Sequence, residues 1–438
     1  MTKTSVLPPL PLAGEGRGEG GTPDRNAGEG GTPSRNTNHP TLAKRLTRTA
    51  TAATVAMTVR ARAMRAEGKH VIALTIGEPD FDSPRHAIEA GYQAALAGDT
   101  KYPPQDGAAA LKRAIQAKFK RDSDLDFALD EIMVANGGKG VIWDALMATI
   151  DPGDEVVVPA PYWGAYPLMT QLVGGDPVIV TCPQNNGFRL RPEDLEAAIT
   201  PRTKWLVLNY PNNPTGAAAS PEDLRALGEV LLRHPHVWIM ADDMYEHLMF
   251  DGRRHTTLVQ AEPRLRDRTL TISGVSKTYA MTGWRIGFAA GPRHLIKAMV
   301  MVQGHVSAGV SSVGQAAAAA ALDGPQDSVA TMVAAYASRR DLVVAALNQA
   351  PGLICHKPEG AFYVYPNVAG CLGKTTPAGR LIHTDEDLAM ALLEEAQIAI
   401  VHGAAFGMSP YLRISYATGH DDLREACRRI VAFCEALH

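Results

Sequence analysis

The chain has few cysteines, little net charge and no long apolar run. Its five cysteines (Cys182, Cys355, Cys371, Cys427, Cys434) are scattered, with no CxxC pair. That pattern argues against a disulfide framework or a zinc site and suits a reducing compartment. Cys427 and Cys434 share a face of the last predicted helix, as small core residues. A formal net charge of -3 argues against a nucleic-acid or polyanion partner. No apolar stretch is long enough to span a bilayer, and no charged-then-apolar leader opens the chain. The expected location is the cytoplasm, with no membrane or nucleic-acid partner. The basic residues from Lys44 to Arg65 are interrupted by Ala and Thr and read as a solvated helix face. A Walker spacing is missing, as is a helix-turn-helix pattern.

What is present is an alternation of short apolar strands with helices. At 438 residues the chain can bury more than one core. Residues 1–40 stand apart: Gly-Glu-Gly-Gly-Thr-Pro recurs and apolar side chains are few. Such a segment cannot offset its ordering entropy, so a disordered low-complexity tail is expected. An Ala-rich helix is predicted from Ala43 to Glu67 and a strand over Val71–Ile76. Strands are then predicted at Ile132–Ala135, Glu155–Val158, Pro177–Val180, Trp205–Asn209, Trp238–Ala241, Thr269–Ile272 and Gly287–Ala290. Helices are predicted at Ser83–Ala97, Gly107–Arg121 and Lys139–Ile150, with Pro292 opening another. Near-continuous apolar strands between helices indicate an α/β protein with a largely parallel sheet covered on both faces. A smaller α+β unit is expected to follow. Its strands lie near Ile354, Phe362–Tyr365, Ile398–Val401 and Tyr411–Ser415, and a closing helix starts at Asp421. The expected division is 1–40 tail, 41–80 N-terminal segment, 81–325 large domain and 326–438 small domain.

Four motifs carry chemistry. In Ser273–Gly287, Lys277 follows an apolar strand in a small-residue turn, with Arg285 eight residues on. A lysine there can form a Schiff base with a carbonyl cofactor, and the arginine can clamp a phosphate. The plain alternative is a surface lysine beside a structural arginine. In Asn136-Gly137-Gly138-Lys139, free N–H groups at a helix start suit a phosphate, although a Gly-rich cap would read the same. Asp242 and Asp243 end a strand, and alternation sends them to opposite faces. Asp243 suits a helix N-cap. Arg413, within the Tyr411–Ser415 strand, calls for an anionic partner if buried; that partner could be a structural carboxylate or a ligand.

Together with Tyr210-Pro211-Asn212-Asn213-Pro214-Thr215-Gly216, these motifs resemble the class I aminotransferases, which are pyridoxal-phosphate (PLP) enzymes of fold type I. The resemblance runs from about Ala43 to the C-terminus. It is strongest to the aspartate/prephenate aminotransferases of alphaproteobacterial type. It implies a mostly parallel seven-stranded sheet between helices, with a smaller α+β C-terminal domain. It also implies that Lys277 holds PLP and moves the proton at the substrate Cα, while Asp242 pairs with the pyridine nitrogen. Asn213 and Tyr245 would hydrogen-bond the phenolic oxygen, Trp163 would stack on the ring, and Gly137, Gly138 and Arg285 would hold the phosphate. Arg413 would clamp the substrate α-carboxylate near Gly77, and Lys139 would reach a distal carboxylate. Tyr102 would reach the phosphate of a neighbouring subunit, implying a homodimer. The implied reaction moves the amino group of aspartate or glutamate to 2-oxoglutarate or oxaloacetate in ping-pong fashion.

Two departures bear on the substrate. The subgroup's Lys-Pro-Ser-x-Thr reads Ala50-Thr51-Ala52-Ala53-Thr54 here, so only Thr54 is kept and Arg48 is the nearest cation. Val306 replaces a polar position. An aromatic-amino-acid or prephenate aminotransferase is therefore the alternative reading. A PLP lyase on the same scaffold and a non-catalytic PLP-binding regulator are more distant ones.

Overall fold

The computed structural model describes residues 42–48 and 53–438. The segment expected to form a tail lies outside them, as do residues 49–52. Lys44–His438 forms one unit, built on a seven-stranded sheet. In spatial order its strands are Ile132–Asn136, Ile286–Ala290, Thr269–Gly274, Trp238–Asp242, Thr203–Asn209, Glu155–Ala160 and Asp176–Thr181. Only Ile286–Ala290 runs antiparallel to its neighbours. Burial extends from the centre of the sheet to one edge: Ile239 and Met240 of the central strand and Ile132 to Ala135 of an edge strand are fully covered. Burial on both faces is what a run without polar alternation requires.

Local sequence explains the helix starts. Ser220 accepts from the Asp223 amide at 3.1 Å, and the Asp223 carboxylate returns a bond to the Ser220 amide at 2.9 Å. This reciprocal box starts Pro221–Arg233, with proline at a position whose N–H would be unpaired anyway. Cys427 and Cys434 lie buried on the closing helix His420–Glu435, as expected.

Sheet direction positions the functional residues. The C-terminal ends of the parallel strands deliver Asn136, Asn209, Asp242 and Gly274 to one edge. The antiparallel strand starts at that same edge, because Ile286 pairs with Asn136 and Gly287 with Gly274. Arg285, immediately before it, thus arrives beside the other loops. Crevices outside the carboxyl ends of parallel strands are the usual ligand sites of α/β sheets.

Several expectations are corrected. The predicted strand Val71–Ile76 shortens to Ile72–Ala73, because the chain past Leu74 turns its carbonyls to side chains of the cavity wall. Ile398–Val401 divides into Ile398–Ala399, paired with Ile72–Ala73, and Val401–His402, paired with Leu412–Ser415. Leu412–Ser415 is the centre of a three-stranded sheet flanked by Tyr363–Val364. Near Ile354 there is only a single bridge to Asn367. The helix expected from Ala43 is a short 3-10 turn, Lys44–Arg48, and a helix, Ala53–Ala66. Helix Gly137–Thr149 begins on the glycines expected to precede it. Pro292 caps Arg293–Val306 rather than occupying its first turn. A core around the smaller sheets takes in Met57, Ala61 and Met64 of the first long helix. No helix among the described residues is long and apolar enough to cross a membrane.

Candidate active site

A cavity of about 540 Å³ opens at the carboxyl edge of the sheet. Gly77, Gly138, Lys139, Trp163, Asn213, Asp242, Tyr245, Lys277, Arg285 and Arg413 all line it. These residues come from segments far apart in the chain. Strand register brings several together: Asn209 lies opposite Asp242.

Lys277 sits in the one-turn helix Val275–Thr278. Its Nζ donates to the Gly77 carbonyl at 2.6 Å. Burial lowers its pKa to about 8, with Arg285 and Arg413 acting in the same direction and Glu78 and Asp242 opposing. A larger fraction of neutral amine is therefore present near neutrality than for an ordinary lysine. Gly77 itself is packed against Tyr363: a Cβ there would run into the Tyr363 hydroxyl.

Asp242 is 4% exposed. Its carboxylate accepts from the Tyr166 hydroxyl at 2.6 Å and from the Met244 amide at 3.2 Å. Burial raises its pKa to about 6, and the Tyr166 bond holds it back from a larger rise. Asp243 points away from the cavity, as alternation demands, but caps no helix. Its Oδ1 lies 3.3 Å from His255 Nε2.

Asn209 Nδ2 donates to the Asp242 carbonyl, and its Oδ1 accepts from the Asn213 amide, each at 2.9 Å. Asn213 Oδ1 accepts from Arg413 Nη1 at 3.1 Å, leaving the Asn213 amide nitrogen as its remaining donor. The Tyr245 and Tyr363 hydroxyls are 2.9 Å apart. Arg413 also donates to the Thr75 carbonyl and lies between the rings of Tyr363 and Phe406, 4.9 and 4.8 Å from their centres. It is 3% exposed, and its Nε has no hydrogen bond. Among the described residues no carboxylate pairs with it. A buried guanidinium without a carboxylate partner is suited to an anion, which would offset its remaining desolvation. Burial accordingly lowers its pKa.

Another part of the wall suits a phosphate. Helix Gly137–Thr149 presents its first-turn N–H groups there. Gly137 has φ +74°, and a Cβ on it would strike the Arg285 guanidinium. Arg285 is fixed by the Thr282 and Asn136 carbonyls at 2.9 and 3.3 Å. The Lys139 Nζ lies 5.1 Å from the Trp163 ring centre. Surrounding protein and Arg285 hold the Lys139 pKa below the usual lysine range. Trp163 packs edge-to-face on Tyr166, with centroids 5.4 Å apart.

Gly137 lies behind the cavity wall rather than on it. Tyr102 is not part of the cavity; it is 90% exposed. Val306, also exposed, lines an adjoining cavity of about 920 Å³ that shares Val55, Lys139, Trp163 and Arg285. Trp205 and Trp238 are stacked scaffold residues, whereas Trp143 lines that second cavity.

Sequence reasoning missed Tyr166, Asn209, Thr75, Tyr363 and Ser276, all on the wall. A polar residue closing an apolar strand was a signal for Asn209, and a tyrosine three positions after Trp163 was one for Tyr166. It also missed Val55, Thr58, Val59 and Arg62 of helix Ala53–Ala66, which form a further wall. Arg62 was assigned to a solvated face. It is exposed, but toward this cavity, and it has no acidic partner among the described residues.

A lysine with a lowered pKa, a buried carboxylate, a phosphate-suited helix start and an unpaired arginine share one crevice. Comparison with known proteins agrees. The family model "Aminotransferase class I and II" matches residues 69–430. The aspartate aminotransferase of Rhizobium meliloti (strain 1021) is 54% identical over 378 residues, covering 86% of this chain and 92% of that protein. The aspartate/prephenate aminotransferase of Cereibacter sphaeroides is 54% identical over 396 residues, covering 90% and 99%. The crystal structure of the Rhizobium meliloti aspartate aminotransferase superposes with TM-score 0.90 at 52% identity, covering 91% of this chain and all of that one. The Thermus thermophilus aspartate aminotransferase with maleate gives 0.84 at 38%, covering 90% and 100%. The chain is an aminotransferase and belongs to the class I and II aminotransferase family.

Proposed function

We propose that the chain is a PLP-dependent aminotransferase for dicarboxylic substrates, with aspartate or glutamate as donor and 2-oxoglutarate or oxaloacetate as acceptor. The observation that carries this reading is that Arg413 and Lys139 line one cavity with Lys277, Arg413 being buried with no carboxylate partner among the described residues. Two cations on one cavity wall match two carboxylates. Maleate, named with the Thermus structure, is itself a dicarboxylate.

PLP fits the wall: the first turn of Gly137–Thr149 with Ser276 and Arg285 would hold its phosphate, and Asp242 its ring nitrogen. When bound, PLP supplies the electron sink for a carbanion at the substrate Cα. Arg413 holds the α-carboxylate through a two-pronged donor pair. Lys139 holds the distal carboxylate. Lys277, with its amine largely unprotonated above about pH 8, takes the proton from Cα and returns it. Tyr166 keeps Asp242 ionised. Asn213 and Tyr245 would supply donors toward the phenolic oxygen, and Trp163 would cover one face of the ring.

A second reading, toward prephenate or aromatic donors, is favoured by Arg62 on the cavity wall and by Val306 in the adjoining space. Arg62 would give a third carboxylate a cation that Ala50 does not. We further propose a homodimer in the cytoplasm, divided into a large domain (81–325) and a small one (326–438). Tyr102, solvent-facing in its own chain, would serve the second copy.

A donor and acceptor panel on the purified protein tests the assignment. Dicarboxylic pairs should give the highest kcat/KM. A preference for phenylalanine or prephenate by tenfold or more would replace it with the second reading.

A further inference from the structure

Behind the strand end that carries Asp242 lies a group of buried charges outside the cavity. Asp243 is 5% exposed; its Oδ1 faces His255 and its Oδ2 has no hydrogen bond. Glu246 is 8% exposed, pairs with Lys118 and accepts from the Ser273 hydroxyl. Lys118 is almost fully buried and also approaches Asp122 at 3.9 Å, a carboxylate already paired with Arg121 and His247. The charged groups facing His255 are Asp243 and Glu246, from the segment after the strand, and Lys118, from helix Ala109–Ser123.

The pairing decides the role. Glu246 pairs with Lys118 and also lies 4.0 Å from His247 Nδ1, and Asp122 is shared by Lys118, Arg121 and His247. The cation facing Asp243 is the His255 imidazole, so Asp243 is offset only when that imidazole is charged. An uncompensated carboxylate one residue from Asp242 would push Asp242 toward its protonated form, because like charges at short range disfavour joint ionisation.

We propose that His255 is a positioning residue whose charged imidazole cancels Asp243 and thereby keeps Asp242 ionised. This rests on the reading of Asp242 as the partner of the PLP ring nitrogen. Burial alone would disfavour the charged imidazole, but Asp243 and Glu246 outweigh it and hold its pKa above the usual histidine range. Asp243 likewise adds to the upward push on Asp242.

The test is the pH dependence of PLP affinity, followed by absorbance titration of the full chain. His255→Gln should move the acid-side midpoint up by about 1 pH unit, the size of one unscreened charge at this range. The double variant His255→Gln with Asp243→Asn should bring it back toward the parent value. An unmoved midpoint, or a shift that Asp243→Asn does not reverse, overturns the proposal. If His255→Gln does not fold, Asp243→Asn alone decides. The His255 imidazole, followed by NMR in the PLP-free chain, should then titrate about 1 unit lower; an unchanged titration overturns the pairing. Failure of the underlying reading looks different, because Asp242→Asn would then leave PLP affinity unchanged.

Discussion

Lys277, Asp242 and Arg413 each depart from the ordinary state of their residue type, and each departure has a local cause. Burial draws Lys277 down to about 8 and Asp242 up to about 6. Arg413 is buried with its charge unpaired by any carboxylate among the described residues. Lys277→Ala should lower kcat by about 10⁴-fold or more while leaving the fold intact by circular dichroism, since it removes the proton-transfer group. Tyr166→Phe removes a hydrogen bond that lowers the Asp242 pKa. Asp242 should then protonate at higher pH, and the acid-side midpoint of PLP affinity should rise. A charge-assisted bond of this kind is worth about 1.5–3 kcal/mol. Arg413→Lys keeps the charge but loses the planar fork. It should raise KM for aspartate about 10–100-fold with a smaller change in kcat, as steady-state kinetics would show.

At the scale of elements, the site depends on where strands stop. Asn209 and Asp242 meet because their strands are in register, and Arg285 arrives because one strand runs against the rest. Gly137→Ala would put a side chain at φ +74° and against Arg285. PLP affinity should fall about tenfold or more in absorbance titration, with little loss of global stability. Much of this framework was legible in the sequence. Apolar runs without alternation marked all seven strands of the large sheet, and the pleat sent Asp242 and Asp243 to opposite faces, while the choice of Asp242 came from the family resemblance. The less legible parts depend on contacts between distant segments. Val71–Ile76 reads as one strand, yet its second half turns a carbonyl toward Arg413, and Gly77 beyond it does so toward Lys277. Ile398–Val401 reads as one strand, yet its halves pair with different neighbours. Nothing local announces the bond from Tyr166 to Asp242, which joins two elements across the crevice. Arg62 looked like one more exposed cation, because helix periodicity does not say which solvent-facing side opens onto a cavity.

For the whole molecule, buried carboxylates tie stability to pH. Asp144 is 4% exposed, its carboxylate has no ion pair or hydrogen bond among the described residues, and burial raises its pKa to about 7. A carboxylate whose pKa is higher in the folded than in the unfolded chain binds its proton more tightly when folded. Its favourable contribution is complete below about pH 4 and is lost as pH rises through about 7. Asp144→Asn should therefore raise Tm most at pH 8 and clearly less at pH 5, by calorimetry of the PLP-free protein. An equal shift at both pH values would show that packing, not ionisation, is responsible. PLP binding adds stability by mass action, so the comparison holds PLP at zero.

The central claim is that Lys277, Arg413 and Lys139 make one site that takes an amino group from a dicarboxylic amino acid. The most direct measurement is the absorbance spectrum of the purified, PLP-loaded protein before and after adding L-aspartate. The account predicts that the band of lysine-bound PLP is replaced by that of the aminated cofactor, and that 2-oxoglutarate restores it. A band that ignores aspartate but responds to phenylalanine would keep the mechanism and contradict the substrate. A band that responds to no amino acid would contradict the account itself.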